Sequence, residues 1–389
     1  MITLKESTKV FIKEKSDYYK NWTLDTPLII NNSTYNDVQK LQKILYKLIQ
    51  QFVNNYNEYA HLMPLSKDSE AIIELFNHKP YKVGTYRTDF VYTDKGQIKL
   101  IEITCRFALN GIFQTSIFDE IGKKYCLDHL KQNSIHPYND IYEHIESYIK
   151  DHKRVYILKG SDQKNESKIY SEILERMGIK VESLNYLDIE KHLNEMKDAW
   201  IISELALSEI ESLDFSTLKT LSQLDISNDF RTVFLLHDKR FFSVIGNKQL
   251  QQSILTEDEI THFMKYYIPT FTFSENQEKW DNAKTNKNNW IIKHRSLGKS
   301  QCIYAGPVTE QSEWENLFTN KLEDMVLQEW IPQTTTSIPY KGDLIEEYIT
   351  GTLLFYDNHF FGFGEFRTSS FPVTNKVDHR KMAPLILEQ

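Results

Sequence analysis

YRTDFVYTDKGQIKLIEIT, residues 86–104, is the stretch on which the fold turns. Two runs rich in aromatic and β-branched residues flank Thr93, Asp94, Lys95 and Gly96, and the glycine supplies a backbone conformation that other residues adopt only at a cost. The pattern predicts a β-hairpin. Side chains alternate across a strand, so Arg87 and Asp89 share one face, and Glu102 on the returning strand falls beside them. A guanidinium and two carboxylates then meet on one patch, which reads either as a cross-strand ion pair at the surface or as the beginning of a charged site.

Upstream of the hairpin, from about 34 to 61, Val38, Leu41, Leu45, Leu48, Phe52 and Tyr56 recur at three- and four-residue steps, the signature of an amphipathic helix. Downstream the texture changes. Between about 152 and 238, RVYILKG, IKVESLN, AWIISE and TVFLLHD read as strands, and NESKIYSEILERMG reads as a helix closed by Gly178. Strands alternating with helical connections imply a parallel sheet covered on both faces. The first of them is followed by Gly160, Ser161, Asp162 and Gln163, where a dinucleotide fold carries a glycine-rich phosphate loop, so a dinucleotide site is poorly supported. In the last third, WIIKHR, QCIYAG, MVLQEW and the run 343–368 predict an antiparallel α+β module, with turns at 296–299 and 357–358. The polar segment 275–290 reads as a linking loop or a frayed helix. Three regions result: 1–150, helical with the hairpin; 151–238, a parallel α/β unit; and 239–389, antiparallel α+β.

A chain of 389 residues exceeds what one core usually organises, and 40% hydrophobic with 26% charged residues gives an ordinary globular composition. The net charge of −8 argues against a general nucleic-acid surface. Cys105, Cys126 and Cys302 lie far apart with no CxxC pair, which suggests neither a disulfide framework nor a structural zinc site. No signal peptide or membrane-length apolar run stands out, and the expectation is a cytoplasmic protein without a membrane partner. Neither GxSxG nor HExxH occurs, which removes support for serine and zinc hydrolases.

Phosphoryl transfer from ATP requires cations for the phosphates and carboxylates for magnesium. Asp89 and Glu102 are candidate carboxylates. Lys293 ends an apolar strand and is followed by HRSLGKSQ, where Gly298 permits close backbone approach to a phosphate. Gln328 and Glu329 end another apolar strand, where their backbone could meet the edge of an adenine.

In combination these segments resemble the circularly permuted ATP-grasp ligases typified by the synthetase domain of glutathionylspermidine synthase. That family's R-x-D-F, turn, L-L-E-x-N hairpin stands here as 86–104, and the resemblance makes Arg87 a phosphate contact and Asp89, Glu102 and Thr104 the magnesium ligands. HDKRFF, 237–242, resembles the N-K-A-L element and gives Lys239; WIIKHRSLGKS, 290–300, resembles the V-K-P strand and its small-residue loop and gives Lys293 and Gly298. LQEWIPQ, 327–333, resembles the adenine hinge, with Gln328, Glu329 and Ile331 at the base, and FGFGEFRTS, 361–369, resembles the G-x-G-I-R-E strand and places Arg367 on the phosphates. Thr104 stands where the family has asparagine, His294 where it has proline, and the loop holds fewer glycines.

The resemblance implies a circularly permuted ATP-grasp fold with a pre-ATP-grasp-like domain at 151–238. It also implies ATP and Mg2+, small-molecule carboxylate and amine substrates such as an amino acid or short peptide, and an acyl-phosphate route to an amide with release of ADP. Cys105 reads as a buried structural cysteine rather than a nucleophile, and Arg106 as a residue at the same turn within reach of an acyl group. Two alternatives stand beside the ligase: a non-catalytic nucleotide-binding relative with a regulatory or scaffolding role, and a plain α/β enzyme acting on a sugar or amino-acid phosphate through the middle region.

Overall fold

A computed structural model of the chain describes residues 4–107, 111–125, 143, 146, 152–161, 166–227, 229–298, 300–319, 322–374, 377 and 380–386. Cys126, Asp162, Gln163 and Lys299 lie outside them.

After a first helix, Leu4–Tyr19, and a short strand β1 (Leu28–Ile30), the anticipated amphipathic helix runs Asn32–Asn54. Its start is fixed by Asn31, whose side chain accepts a hydrogen bond from the Thr34 amide at 2.8 Å. Val38, Leu41, Leu45, Leu48 and Phe52 are buried along one face, as their spacing requires. The helix stops earlier than expected, because Asn55 leaves the helical region (φ −118°, ψ 31°) and two short turns carry the chain on to Leu62.

The hairpin forms as read. β2 (Thr85–Tyr92) and β3 (Ile98–Thr104) pair antiparallel, with Asp89 directly opposite Glu102, Arg87 opposite Thr104 and a bulge after Asp89. Gly96 takes φ +73° in the turn.

The parallel unit contains β4 (Arg154–Lys159), β5 (Lys180–Asn185), β6 (Trp200–Ser203) and β7 (Asp225–Ser227) in the order β5-β4-β6-β7. The expected strand at TVFLLHD is not one. Thr232–Leu236 is a π-helical turn whose five residues are all buried, and β7 supplies the fourth strand instead. A short apolar run without alternation fits a buried helix as well as a buried strand, and here the core on all sides chose the helix.

The polar segment contains the helix Gln277–Thr285. Around it lie β8 (Thr270–Thr272), β9 (Trp290–His294), β10 (Ile303–Ala305) and β11 (Met325–Glu329), a four-stranded antiparallel sheet ordered β10-β9-β11-β8. Trp280, Trp290, Trp314, Ile292 and Leu327 fill its own core.

The chain ends in β12 (Thr336–Tyr340), β13 (Asp343–Tyr356), β14 (His359–Phe363), β15 (Phe366–Ser369), β16 (Arg380–Met382) and β17 (Pro384–Ile386). The early hairpin joins these late strands in one sheet, ordered β16-β15-β13-β2-β3, with β12 and β14 also paired to β13. β17 returns to pair with β1. β2 is therefore a central strand, which explains its near-complete burial.

The two faces of this sheet differ in chemistry. Asp89, Arg367, Thr350 and Thr352 lie on the polar face, while Phe90 and Phe366 stack edge to face on the other, with centroids 5.7 Å apart. Gly351 lies between those rings: a Cβ there would come within 2.2 Å of Phe90 and 2.5 Å of Phe366. Gly351→Ala is accordingly expected to lower stability by about 1–3 kcal/mol through overpacking. The urea midpoint measures this, and an unchanged midpoint would show that the rings separate freely.

Candidate functional site

The candidate residues converge where the four-stranded sheet faces the polar side of the large sheet. A cleft enclosing about 780 Å³ is lined there by Asp89 and Glu102 from the hairpin, Lys293 from β9, Gln328 and Glu329 from β11, and Arg367 from β15, with Gly298 and Ile331 on its loops. A larger cavity of about 2280 Å³ adjoins it and shares Glu102, Leu297, Gly298 and Arg367. Arg87, Thr104 and Arg106 line this second space. Lys239 reaches the shared loop from behind, donating from Nζ to the Leu297 carbonyl at 2.6 Å. The middle sheet contributes through the residues that follow β6, since Ala206, Leu207 and Ser208 form part of the second cavity's wall.

Asp89 is the most constrained of these residues. Arg87 Nε donates to its Oδ1 at 2.7 Å, and Arg367 Nη2 donates to its Oδ2. Burial works to raise the Asp89 carboxyl, but the two guanidiniums outweigh it and hold it below the usual carboxylate range. Each oxygen thus accepts one guanidinium N–H, which makes Asp89 an anchor for the two arginines. Arg367 keeps spare capacity, since its buried Nε has no partner among the described residues. Glu102 presents a carboxylate to the cleft with no hydrogen bond or ion pair among the described residues.

Lys293 is 5% exposed. Its Nζ donates to Gln328 Oε1 at 2.7 Å and to the Ile101 carbonyl at 3.0 Å, so it bridges the two sheets. Gln328 is fixed in turn by donating to Thr270 Oγ1 at 2.9 Å. The Lys293 ammonium is lowered to about 8, chiefly by burial and with a contribution from nearby Lys239, while Glu102 and Asp89 resist the fall. Glu329, also on the cleft wall, is raised by burial.

The strand end expected to meet an adenine, with Gln328, Glu329 and Ile331, lies on the cleft wall. The Glu329 amide donates to the Pro269 carbonyl at 3.1 Å and the Trp330 amide to Asn289 at 2.8 Å. Ile331 is the first residue after β11 whose N–H has no partner among the described residues, and it lines the cleft. Gln333, two residues on, has a buried Oε1 without a partner among the described residues. Sequence reading passed over Gln333 because one glutamine after a proline carries no pattern.

Cys105 is fully buried, its thiol pushed up by burial and directed at the Thr232 carbonyl, in keeping with a structural role. Arg106 stacks on Phe107, 4.4 Å from the ring centroid. Among the described residues, no group of three or more His, Cys, Asp or Glu side chains could hold a metal ion, and no helix is long and apolar enough to cross a membrane.

The fold and cleft define a mixed α/β protein with a site lined by cations and carboxylates between two antiparallel sheets. The chain belongs to the family described as the AnkG N-terminal domain, whose model matches residues 40–235, half of the chain. The matched half contains Arg87, Asp89, Glu102 and Thr104; Lys239, Lys293, Gln328 and Arg367 lie beyond it. Among solved structures, D-alanyl-alanine synthetase A from Vibrio cholerae O1 biovar eltor is similar at 12% identity and a TM-score of 0.30, over 52% of this chain and 67% of that one. D-alanine–D-alanine ligase from Bacillus anthracis is similar at 10% identity and a TM-score of 0.28, over 59% of this chain and 86% of that one. TM-scores of this size do not establish a shared fold. No curated protein matches the sequence.

Two outcomes follow from the charges. Asp89→Asn removes the negative charge and one of the two oxygens that hold Arg87 and the buried Arg367, and is expected to cost about 3–5 kcal/mol of stability with no metal added. A loss below about 1 kcal/mol in a denaturant titration would mean that the arginines find other partners. For Lys293, the folded chain releases its proton near pH 8, while the unfolded chain holds it to about 10.5. Between those values the unfolded state binds more protons, so this residue makes stability rise with pH. In Lys293→Met that component should vanish from stabilities compared at about pH 7.5 and about pH 9.5.

Proposed function

We propose that the chain is an ATP-dependent carboxylate–amine ligase of the ATP-grasp kind, with its nucleotide between the four-stranded and seven-stranded sheets. The observation that carries this reading is the meeting of Lys293, Arg367 and the unpaired carboxylate of Glu102 in one cleft, from three segments far apart in sequence. The apolar stretches Val91, Ile101, Ile268, Ile291 and Ile331 give that cleft walls suited to a base, and the Ile331 N–H gives an edge for it to pair with. The buried cations at the other end suit phosphates, since charge-assisted hydrogen bonds are strongest away from water.

Magnesium fits this donor set only together with phosphate oxygens. The ion typically takes one or two carboxylates plus substrate phosphates. Glu102 would hold it, with the Thr104 hydroxyl as the weaker neighbour. When bound, the ion would neutralise phosphate charge. Asp89 serves the site differently, by aiming Arg87 and Arg367.

In this reading the larger cavity takes the carboxylate and the amine, an amino acid or short peptide among the candidates. A substrate carboxylate oxygen forms a bond to the γ-phosphorus as the bond from that phosphorus to the bridging oxygen breaks, giving an acyl phosphate and ADP. The amine nitrogen then attacks the acyl carbon, phosphate leaves, and the nitrogen loses a proton. Arg367 and Lys293 spread the charge that develops on the transferred group, and the sheets on either side exclude water. No enzyme nucleophile is needed, consistent with the buried, protonated Cys105.

The engagement of both Asp89 oxygens favours a second reading, in which the cleft binds a nucleotide but does not turn it over. Calorimetric titration with ATP, with and without magnesium, followed by product analysis with pooled amino acids, small peptides and polyamines, separates the two. The ligase is expected to bind ATP tightly only with magnesium and to release ADP and phosphate, and Glu102→Gln should stay folded and lose turnover. Lys293→Ala and Arg367→Ala should each weaken ATP by roughly ten- to a hundred-fold, the value of a charged hydrogen bond to phosphate. AMP as the stoichiometric product would exclude the acyl-phosphate route; tight binding without turnover would select the second reading; no ATP binding would exclude both.

A further inference from the structure

The loop 295–298 faces both cavities through Leu297 and Gly298. A loop facing two ligand spaces is normally the mobile part of a site. Here it is tied down on two sides. On one, the Arg295 amide donates to the Asp324 carbonyl at 2.9 Å and Arg295 Nε donates to Asp324 Oδ1 at 2.8 Å. On the other, the Lys239 amide donates to the Arg295 carbonyl at 2.8 Å, Lys239 Nζ donates to the Leu297 carbonyl, and Arg295 Nη1 donates to Asp238 Oδ2 at 3.3 Å.

Asp238 is the junction of this network. It is buried, and its Oδ1 accepts the Arg240 amide at 2.9 Å. Its Oδ2 accepts Arg240 Nε at 3.0 Å and Nη2 at 2.8 Å as well as Arg295. Arg240 also donates to the Pro64 carbonyl at 3.0 Å, which connects the junction to the helical region. One carboxylate therefore sets the backbone of 238–240, which carries Lys239, and holds the side chain at the base of the loop. Just beyond the loop, Ser300 and Cys302 sit in the left-handed region at φ 58° and 49°, a conformation that costs non-glycine residues free energy and persists only when neighbouring contacts enforce it.

We infer that Asp238 is a positioning residue. Without touching the nucleotide, it holds Arg295, and through it the loop 295–298, against Lys239, so that Lys239 and the loop backbone meet the phosphates in fixed register. The inference rests on the nucleotide reading above, while the anchoring itself can be read with no nucleotide present. The Lys239–Leu297 contact closes the same anchor from behind the loop, and the Asp238–Arg295 pair keeps the loop from drifting when a phosphate meets its backbone.

Two measurements on Asp238→Asn, Arg295→Gln and the double variant test this. The first is the Kd for MgATP. The second is the rate at which iodoacetamide alkylates Cys302 in nucleotide-free protein, mapped to that residue by mass spectrometry; Cys302 is exposed and lies just past the loop. Each single variant is expected to weaken MgATP and to accelerate alkylation by about tenfold, and the double variant to lose less than the product of the two, because both residues share the Asp238–Arg295 contact. Single variants that stay within about twofold of the parent in either measurement, or a double variant whose losses multiply, overturn the inference. If the parent protein does not bind MgATP, the nucleotide reading fails, and the alkylation rates alone decide the anchor by the same criteria. Should Asp238→Asn not fold, Arg295→Gln at its partly exposed site carries both measurements, and unchanged values there overturn the inference.

Discussion

A buried carboxylate between two guanidiniums is the contact on which the rest of the site depends. Asp89 on β2 and Arg367 on β15 are not neighbours in the sheet; β13 lies between them, and their bond crosses it beside Thr350 and Thr352. Moving three charges out of water is costly, and it is tolerated because each carboxylate oxygen meets a guanidinium. The triad keeps a net positive charge. Glu102 and Glu365 lie close enough to act on Arg367 as well, so the charges at this end of the cleft are closely balanced.

The second sheet answers this with a lysine held equally far from water. Lys293 is fixed by Gln328 and by the Ile101 carbonyl of the hairpin, so an ammonium group links the two sheets. Another polar link lies nearby, where the Asp94 amide in the hairpin turn donates to the Pro332 carbonyl at 3.1 Å. Glu102 faces this cationic group from the strand opposite Asp89. Neighbouring carboxylates on paired strands thus have different work, one spent on arginine and one open to the cleft. The difference comes from the bulge after Asp89 and from which strands lie alongside.

The hairpin was legible because its signal is local: alternation, a turn with glycine, and charged residues at fixed offsets. The buried stripe of Asn32–Asn54 was legible for the same reason. The segment 232–236 was misread because five apolar residues in a row report burial but not period, and only the packed surroundings distinguish a strand from a helical turn. The meeting of Lys293, Gln328 and Arg367 with the hairpin could be expected only by resemblance, since nothing local says that strands so far apart share a cleft. Asp238 had no signal at all in the sequence. An aspartate two residues before an arginine is common, and what distinguishes this one is that a second arginine, from a loop far along the chain, ends at the same oxygen.

The order of strands in the large sheet has a consequence for how the chain acquires its structure. β2 and β3 are made early, but the strand that flanks β2, along with the carbonyl of Asp357 that accepts Gln42 Nε2 at 2.8 Å across 315 residues, follows only after the parallel unit and the four-stranded sheet. Until then the hairpin has an open edge carrying Phe90 and Val91, with unsatisfied amides and carbonyls beside them. Pairings of such long range are slow to form, and they leave apolar strand edges exposed to other chains in the interval. The parallel unit and the four-stranded sheet are built from nearby segments and can close first. Assembly of the cleft between the two antiparallel sheets then waits for β13 and β15, and until they arrive the hairpin that holds Asp89 and Glu102 keeps an open edge.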